Sequence, residues 1–165
     1  MAEAAGKYAR WERERRYLLA HIPEEVDRAA GSQIVDRYID GTRLRLRRME
    51  PLDGGEPIYK LGQKQAPDPA DFSRTTITNM YLSADEYRVL RELPGCELRK
   101  RRHRLQQYSI DVFDGHLSGL VLAEISWDTQ AELEAHPAPS FALREVSREV
   151  RFTGAALAAA PAPPA

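Results

Sequence analysis

A single cysteine, Cys96, is all the thiol chemistry the sequence holds. One thiol can form no intrachain disulfide and no cysteine-rich zinc site. Long apolar runs are also missing. No stretch approaches the roughly 18 to 20 residues of a membrane helix, and the opening MAEAAGKYARWERERRYLL has no signal-peptide core. These absences lead to the expectation of a cytoplasmic protein that contacts no membrane. Histidine is scarce at four residues, and His21, His103, His116 and His136 lack metal-binding spacing. Charge of one sign is lacking too: the net charge is −1, so no global basic field draws nucleic acid. Aromatics make up 8%, and only Tyr108 lies near the basic run RKRRHR. That run therefore lacks the stacking platforms of a single-strand binder, and nucleic acid is not expected as a partner. His103 in this run reads as a solvated neighbour of the arginines, and Cys96 as a small buried residue.

What the sequence has in quantity is charge, 30% of its 165 residues, and strand-like alternation. RLRLR at 43–47 alternates base and leucine with a period of two. Further strand candidates are 11–19, 33–40, 56–65, 73–82, 97–104, 106–113 and 117–127. Asp40-Gly41 and Asp114-Gly115 mark turns. Short helices are expected over 23–30, from the capping box Ser83–Glu86 to about Leu93, and from the capping box Thr129–Glu132 to about His136. Residues 1–9 read as a flexible lead, 10–157 as the domain, and 158–165 as a disordered Ala/Pro tail. The whole closing segment GAALAAAPAPPA is expected to carry too little apolar bulk to pack. About eight strands and a few short flanking helices make an α+β protein. Its open edges are costly unless the sheet closes.

The charges are sorted by sign along these strands. One face of 11–19 carries Glu12, Glu14 and Arg16, and one face of 43–47 carries Arg43, Arg45 and Arg47. One face of 97–104 carries Lys100, Arg102 and Arg104. Asp111 and Glu124 fall on later strands, and Glu124 sits within the apolar LSGLVLAEISW, where a lone carboxylate needs a partner. A solvated surface intersperses both signs, whereas a closed barrel can turn such faces inward to line a cavity. Converging carboxylates call for a hard divalent cation, Mg²⁺ or Mn²⁺. Converging arginines and lysines call for phosphate oxygens.

These segments, in this order, resemble the CYTH family, the triphosphate tunnel metalloenzymes. WERERRYLL resembles the family's opening Glu-x-Glu-x-Lys strand, with Arg16 in the place of the lysine. RLRLRR resembles its Arg-x-Arg strand, YKLGQK its phosphate-binding lysine strand, and LRKRRHR its Lys-x-Arg strand. IDVFDGHLSGLVLAEI is similar to its acidic strand, and REVSREVRFTGAALA to its ending. The resemblance spans roughly Trp11 to Leu157. It implies a closed eight-stranded antiparallel β-barrel, or tunnel, that binds a triphosphate or polyphosphate ligand with Mg²⁺ or Mn²⁺. It also implies phosphate contacts from Arg16, Arg45, Arg47, Lys64 (with Lys60 in reserve), Arg74, Lys100 and Arg102. Glu12, Glu14, Asp111 and Glu124 become the catalytic, metal-holding acids. Thr76, Thr78, Ser109 and Ser126 stand where the family commonly has further acids. The leading expectation is metal-dependent hydrolysis of inorganic triphosphate or another triphosphate. The alternatives are a non-catalytic binder of polyphosphate or nucleotide triphosphate, and an adenylate cyclase.

Overall fold

A computed structural model describes residues 6–165 of the chain. In chain order the strands are β1 (Arg10–Leu19), β2 (Ser32–Ile39), β3 (Leu44–Pro51), β4 (Ile58–Gln65), β5 (Arg74–Leu82), β6 (Gly95–Leu105), β7 (Tyr108–Asp114), β8 (Val121–Trp127) and β9 (Arg144–Glu145). The helices are α1 (Ala84–Leu90), α2 (Gln130–Ala135) and α3 (Gly154–Ala159). Neighbouring strands run antiparallel in the order β5-β4-β3-β2-β6-β7-β8-β1, and β1 pairs back with β5. The eight strands therefore close into the α+β barrel read from the sequence, and closure removes the exposed edges.

β1 is the closing strand. One edge pairs with β8 from Arg13 to Leu19. The other pairs with β5 only over Arg10–Arg13 and with β9 at Tyr17 and Leu18. In the gap, Glu14 N–H donates to Ser73 O at 2.8 Å, Arg16 N–H donates to Ser147 Oγ at 2.9 Å, and Val146 N–H donates to Arg16 O at 2.8 Å. Both amides that carry the inward charges, and the Arg16 carbonyl, thus find partners, as burial requires.

Two-residue alternation gives the barrel an outer and an inner core. Outward, Tyr17, Leu19, Tyr108, Ile110, Val112, Val121, Ala123 and Ile125 pack beneath Val26, Ile22 and Phe141. Inward, Leu98, Phe113 and Leu122 join Leu117, Leu120, Phe152 and Leu157 to fill part of the barrel interior.

The capping boxes Ser83–Glu86 and Thr129–Glu132 start α1 and α2 as expected. Three expectations are corrected. Residues 23–30 form no helix: a single turn brings Val26 N–H to Pro23 O at 3.2 Å, and Asp27 Oδ1 accepts from Ala29 N–H at 2.9 Å. One large buried side chain, Val26, cannot offset the cost of nucleating so short a helix. β8 begins at Val121 rather than Leu117, because Gly115 and Gly119 take positive φ (66° and 96°) and Leu117 turns into the core. The closing segment does pack: Thr153 caps α3, and Leu157 and Ala158 are buried. One leucine suffices because it enters the inner core and the surrounding alanines permit close approach. Residues 1–5 of the expected lead lie outside the described residues. No helix among the described residues is long and apolar enough to cross a membrane.

Leu157→Ala is expected to cost about 2–5 kcal/mol in urea unfolding. Val150→Ala, at a 59% exposed neighbour of the same segment, is expected to change stability by no more than about 0.5 kcal/mol.

Candidate functional site

The inward faces of the strands enclose a cavity of about 610 Å³. Arg10, Glu12, Glu14 and Arg16 of β1 line it, with Arg45 and Arg47 of β3 and Lys60 and Lys64 of β4. Lys100, Arg102 and Arg104 of β6, Glu124 of β8, and Arg43 complete its charged lining. Ten basic side chains thus face three acidic ones, an excess of seven, in a chain of net charge −1. Everything outside the lining is therefore net −8. The cavity is an electropositive chamber in an acidic shell, and its walls are complementary to a polyanion.

Buried carboxylates hold the bases in place. Asp111 is fully buried; Lys100 Nζ donates to its Oδ2 at 2.6 Å, and Arg102 Nε and Nη2 donate to Oδ1 and Oδ2 at 2.6 and 2.7 Å. Arg102 Nη2 also donates to Glu124 Oε2 at 2.7 Å. Arg16 spends every guanidinium nitrogen on protein acceptors: Nε on Glu124 Oε1 at 3.0 Å, Nη1 on Phe152 O at 2.8 Å, and Nη2 on Glu14 Oε1 at 2.7 Å. Asp36 of β2 takes the fork of Arg47 at 2.6 and 2.7 Å.

Burial alone would raise these carboxyl pKa values, but the guanidiniums prevail. Arg47 holds Asp36, Arg102 and Lys100 hold Asp111, and Arg16 and Arg102 hold Glu124 below the ordinary carboxylate range. Lys100 differs. Desolvation, with Arg102 and Arg47 alongside, lowers its pKa despite Asp111. It is a cation short of negative charge, which a bound anion would supply.

Other bases have no acid of their own. Among the described residues Arg104 donates to Ser109 Oγ at 2.9 Å, Arg43 bonds Gln65, and Lys60 lies over the Tyr81 ring at 5.0 Å. Arg45 Nε is buried with no hydrogen-bond partner, 3.9 Å from Asp36 Oδ1, and Thr75 Oγ1 on the cavity wall is likewise unpartnered. Unsatisfied buried polar atoms are rare in folded proteins and mark sites completed by something else.

The donors for a metal divide. Glu12 and Glu14 converge on one point, the Lys64 ammonium, which contacts Glu12 Oε2 and lies 3.7 Å from Glu14 Oε1. Glu124 adjoins through Arg16. This oxygen-only pair fits a hard cation. Asp111 does not fit: three hydrogen bonds from Lys100 and Arg102 occupy its oxygens, and its place among the metal acids is corrected to counter-ion of the two bases. Among the described residues no three metal-binding side chains gather around one point.

Arg74 is also corrected. Glu12 faces the cavity opposite Thr75, so Arg74 points outward, its guanidinium 4.1 Å from the Trp11 ring centre. By the same register Thr76 and Thr78 point outward, and Thr75, Ile77 and Asn79 line the cavity. Ser109 and Ser126 do line it. His103 is not solvated; it is buried on the outer side, Nδ1 2.7 Å from Ala30 O. Sequence reasoning missed Asp36, Tyr38 and Arg10 as lining or buried partners. The pairing of Asp36 with Arg47 across the Asp40-Gly41 hairpin was the available signal.

No protein-family model matches the chain, and no curated protein matches it. Among solved structures it is similar to the crystal structure of the inorganic triphosphatase NE1496, with 23% identity over 90% of this chain and 95% of that one and a TM-score of 0.58. A second crystal structure of NE1496, described as a hypothetical protein, matches with the same identity and TM-score over 98% of its length. The PH1819 protein from Pyrococcus horikoshii OT3 is similar at 15% identity over 74% of this chain and 82% of its own, with a TM-score of 0.51. The chain shares the fold of these structures, here a closed eight-stranded antiparallel barrel.

The depressed carboxyl pKa values set a pH dependence. Their stabilisation is fully present above the unfolded carboxyl range and disappears as pH falls below about 4 through the folded values. The denaturation midpoint is expected to begin falling near pH 5 and to drop most steeply below about pH 4. Asp111→Asn, which leaves Lys100 and Arg102 short of a counter-charge, is expected to cost about 3–5 kcal/mol at pH 7 and to flatten that acid limb.

Proposed function

We propose that the chain is a divalent-metal-dependent hydrolase of inorganic triphosphate or another triphosphate. The observation that carries this reading is the lining of ten bases against three acids inside the barrel cavity. Such a lining is compatible with folding because buried carboxylates neutralise part of it, and it gains most from a ligand bearing several charges close together. The inorganic triphosphatase NE1496, of similar fold, gives the reading a precedent.

In this reading Arg45, Arg47, Lys64, Lys100 and Arg102 grip the phosphate chain. Arg45 brings a buried N–H with no protein acceptor, and Lys100 brings an ammonium under-compensated by its surroundings. Arg10, Arg43, Lys60 and Arg104, none engaged with a carboxylate among the described residues, extend the grip along the chain. Arg16, with its nitrogens committed, frames the site rather than touching phosphate. Glu12 and Glu14, with Glu124 beside them, hold Mg²⁺ or Mn²⁺. Such an ion, when bound, supplies Lewis-acid polarisation of a phosphoryl oxygen. Water adds to the terminal phosphorus and the bond to the bridging oxygen breaks, leaving phosphate and pyrophosphate. The fixed guanidiniums stabilise the charge that develops on the leaving oxygen.

A second reading has one observation in its favour. β5 turns Thr75, Ile77 and Asn79 inward, so that strand adds no acid to the cavity, and a binder of polyphosphate that turns nothing over needs none. A release assay on tripolyphosphate, pyrophosphate and ATP, each with Mg²⁺ and Mn²⁺, separates the two. Phosphate release from tripolyphosphate is expected. Calorimetric binding with no release under either metal selects the binder, and cyclic AMP from ATP would mark a cyclase. The double variant Glu12→Gln/Glu14→Gln is expected to lose at least about a hundredfold in turnover while keeping its circular dichroism spectrum. Undiminished activity in it would overturn the assignment.

A further inference from the structure

Lys64 stands where the two β1 glutamates need a positive charge. Its ammonium contacts Glu12, lies 3.7 Å from Glu14 Oε1, and is the only base ion-paired with Glu12 among the described residues. The contact is not a deep lock, since the Lys64 side chain remains 35% exposed to the cavity.

The next inward position on β4 is Gly62, between Lys60 and Lys64. A Cβ there would lie 2.5 Å from Asn79 Oδ1 and 3.4 Å from Arg45 Nη2. The absence of a side chain lets Asn79 and the Arg45 guanidinium pack against this strand position, and Arg45 Nε has no hydrogen-bond partner. A lysine suits a change of partner, being a point charge on a flexible four-carbon stem, where arginine's planar fork would fix one geometry.

Resting on the metal-and-triphosphate reading, we infer that Lys64 is a resident counter-ion that holds Glu12 and Glu14 together until a divalent cation displaces it, whereupon its ammonium turns to the phosphate chain. Glu14 is also bonded to Arg16, whereas Glu12 has only Lys64 among the described residues; a divalent ion sets two positive charges in place of one against these carboxylates and frees a cation for the ligand. Cation and phosphate each favour the Lys64 position that the other requires. Their binding is therefore coupled, and by thermodynamic linkage the coupling is equal in both directions.

The test follows Mn²⁺ binding to the full chain through the electron paramagnetic resonance signal of the free ion. With no phosphate present, Lys64→Gln and Lys64→Met are expected to bind Mn²⁺ about tenfold more tightly than the unmodified chain. Imidotriphosphate, which is not hydrolysed at its P–N–P links, is expected to tighten Mn²⁺ binding several-fold more in the unmodified chain than in either variant. Equal or weaker Mn²⁺ affinity in both variants would overturn the inference. Glu12→Gln/Glu14→Gln tells the two failures apart. If it binds Mn²⁺ as well as the unmodified chain, the metal site of the proposed function is wrong. If it loses Mn²⁺ while the Lys64 variants gain nothing, only the counter-ion role falls. The ammonium ¹H–¹⁵N resonance of Lys64 in the unmodified chain tests the same point without a substitution. Saturating Mg²⁺ alone is expected to move it toward that of a free lysine, and an unmoved resonance counts against displacement.

Discussion

One buried carboxylate, Asp111, lets two like charges share the interior of a barrel. Lys100 and Arg102 are two residues apart on one strand and point the same way. Without a counter-charge their repulsion in a low-dielectric enclosure would cost several kcal/mol. Asp111 answers both from the neighbouring strand, and Arg102 passes the linkage on to Glu124, Arg16 and Glu14. The result is a chain of alternating sign that crosses β7, β6, β8 and β1. It is satisfied along its length and still leaves the cavity positive. Such networks rigidify what they join, and here they hold the walls of the site fixed before a ligand arrives.

The same alternation that turns charges inward also ends the chamber. Along β1 the inward residues run Glu12, Glu14, Arg16 and then Leu18; along β6 they run Arg104, Arg102, Lys100 and then Leu98 and Cys96. β7 passes from Ser109 and Asp111 to Phe113, and β8, in the opposite sense, from Ser126 and Glu124 to Leu122. These four adjacent strands change from polar to apolar at one level, where Phe152 and Leu157 close in. The chamber and the core thus share one barrel interior, stacked end to end. Leucines below the ion network exclude water from its lower side, and that exclusion strengthens each ion pair above.

How much of this could be read from the sequence follows from the size of the repeats involved. A strand repeats every two residues, so RLRLR announces its own face, and the inward sets on β1, β3 and β6 were legible without coordinates. Barrel closure was legible because so many strands leave edges that a soluble chain does not expose. Arg74 shows the opposite case. It opens its strand, and only pairing with β1, through Glu12 opposite Thr75, decides which parity faces in. A register shift of one residue reverses the whole strand, and no local pattern in SRTTITNM fixes it. Asp36 was hidden because one acid in QIVDRYI looks like an ordinary surface charge until Arg47 is set across from it. The α3 helix was illegible for another reason. Composition marks GAALAAAPAPPA as low complexity, and only the inner core makes one leucine enough to anchor it.

Arg16 shows why the type of cation matters as much as its charge. The resemblance to tunnel enzymes places a lysine here, and lysine offers one ammonium that can turn to a ligand. Arginine offers three nitrogens in a fixed plane, and this chain directs one to each of Glu14, Glu124 and the Phe152 carbonyl. The residue thereby ties the acidic strands to the segment that carries α3, a link a point charge could not make in three directions. Its cost is one fewer mobile cation in the cavity. That loss leaves Lys64, held by the β1 glutamates alone, as the lysine to which the proposed exchange falls. A change that looks conservative by charge thus fixes one wall of the cavity and, in the proposed exchange, leaves the mobile role to the lysine.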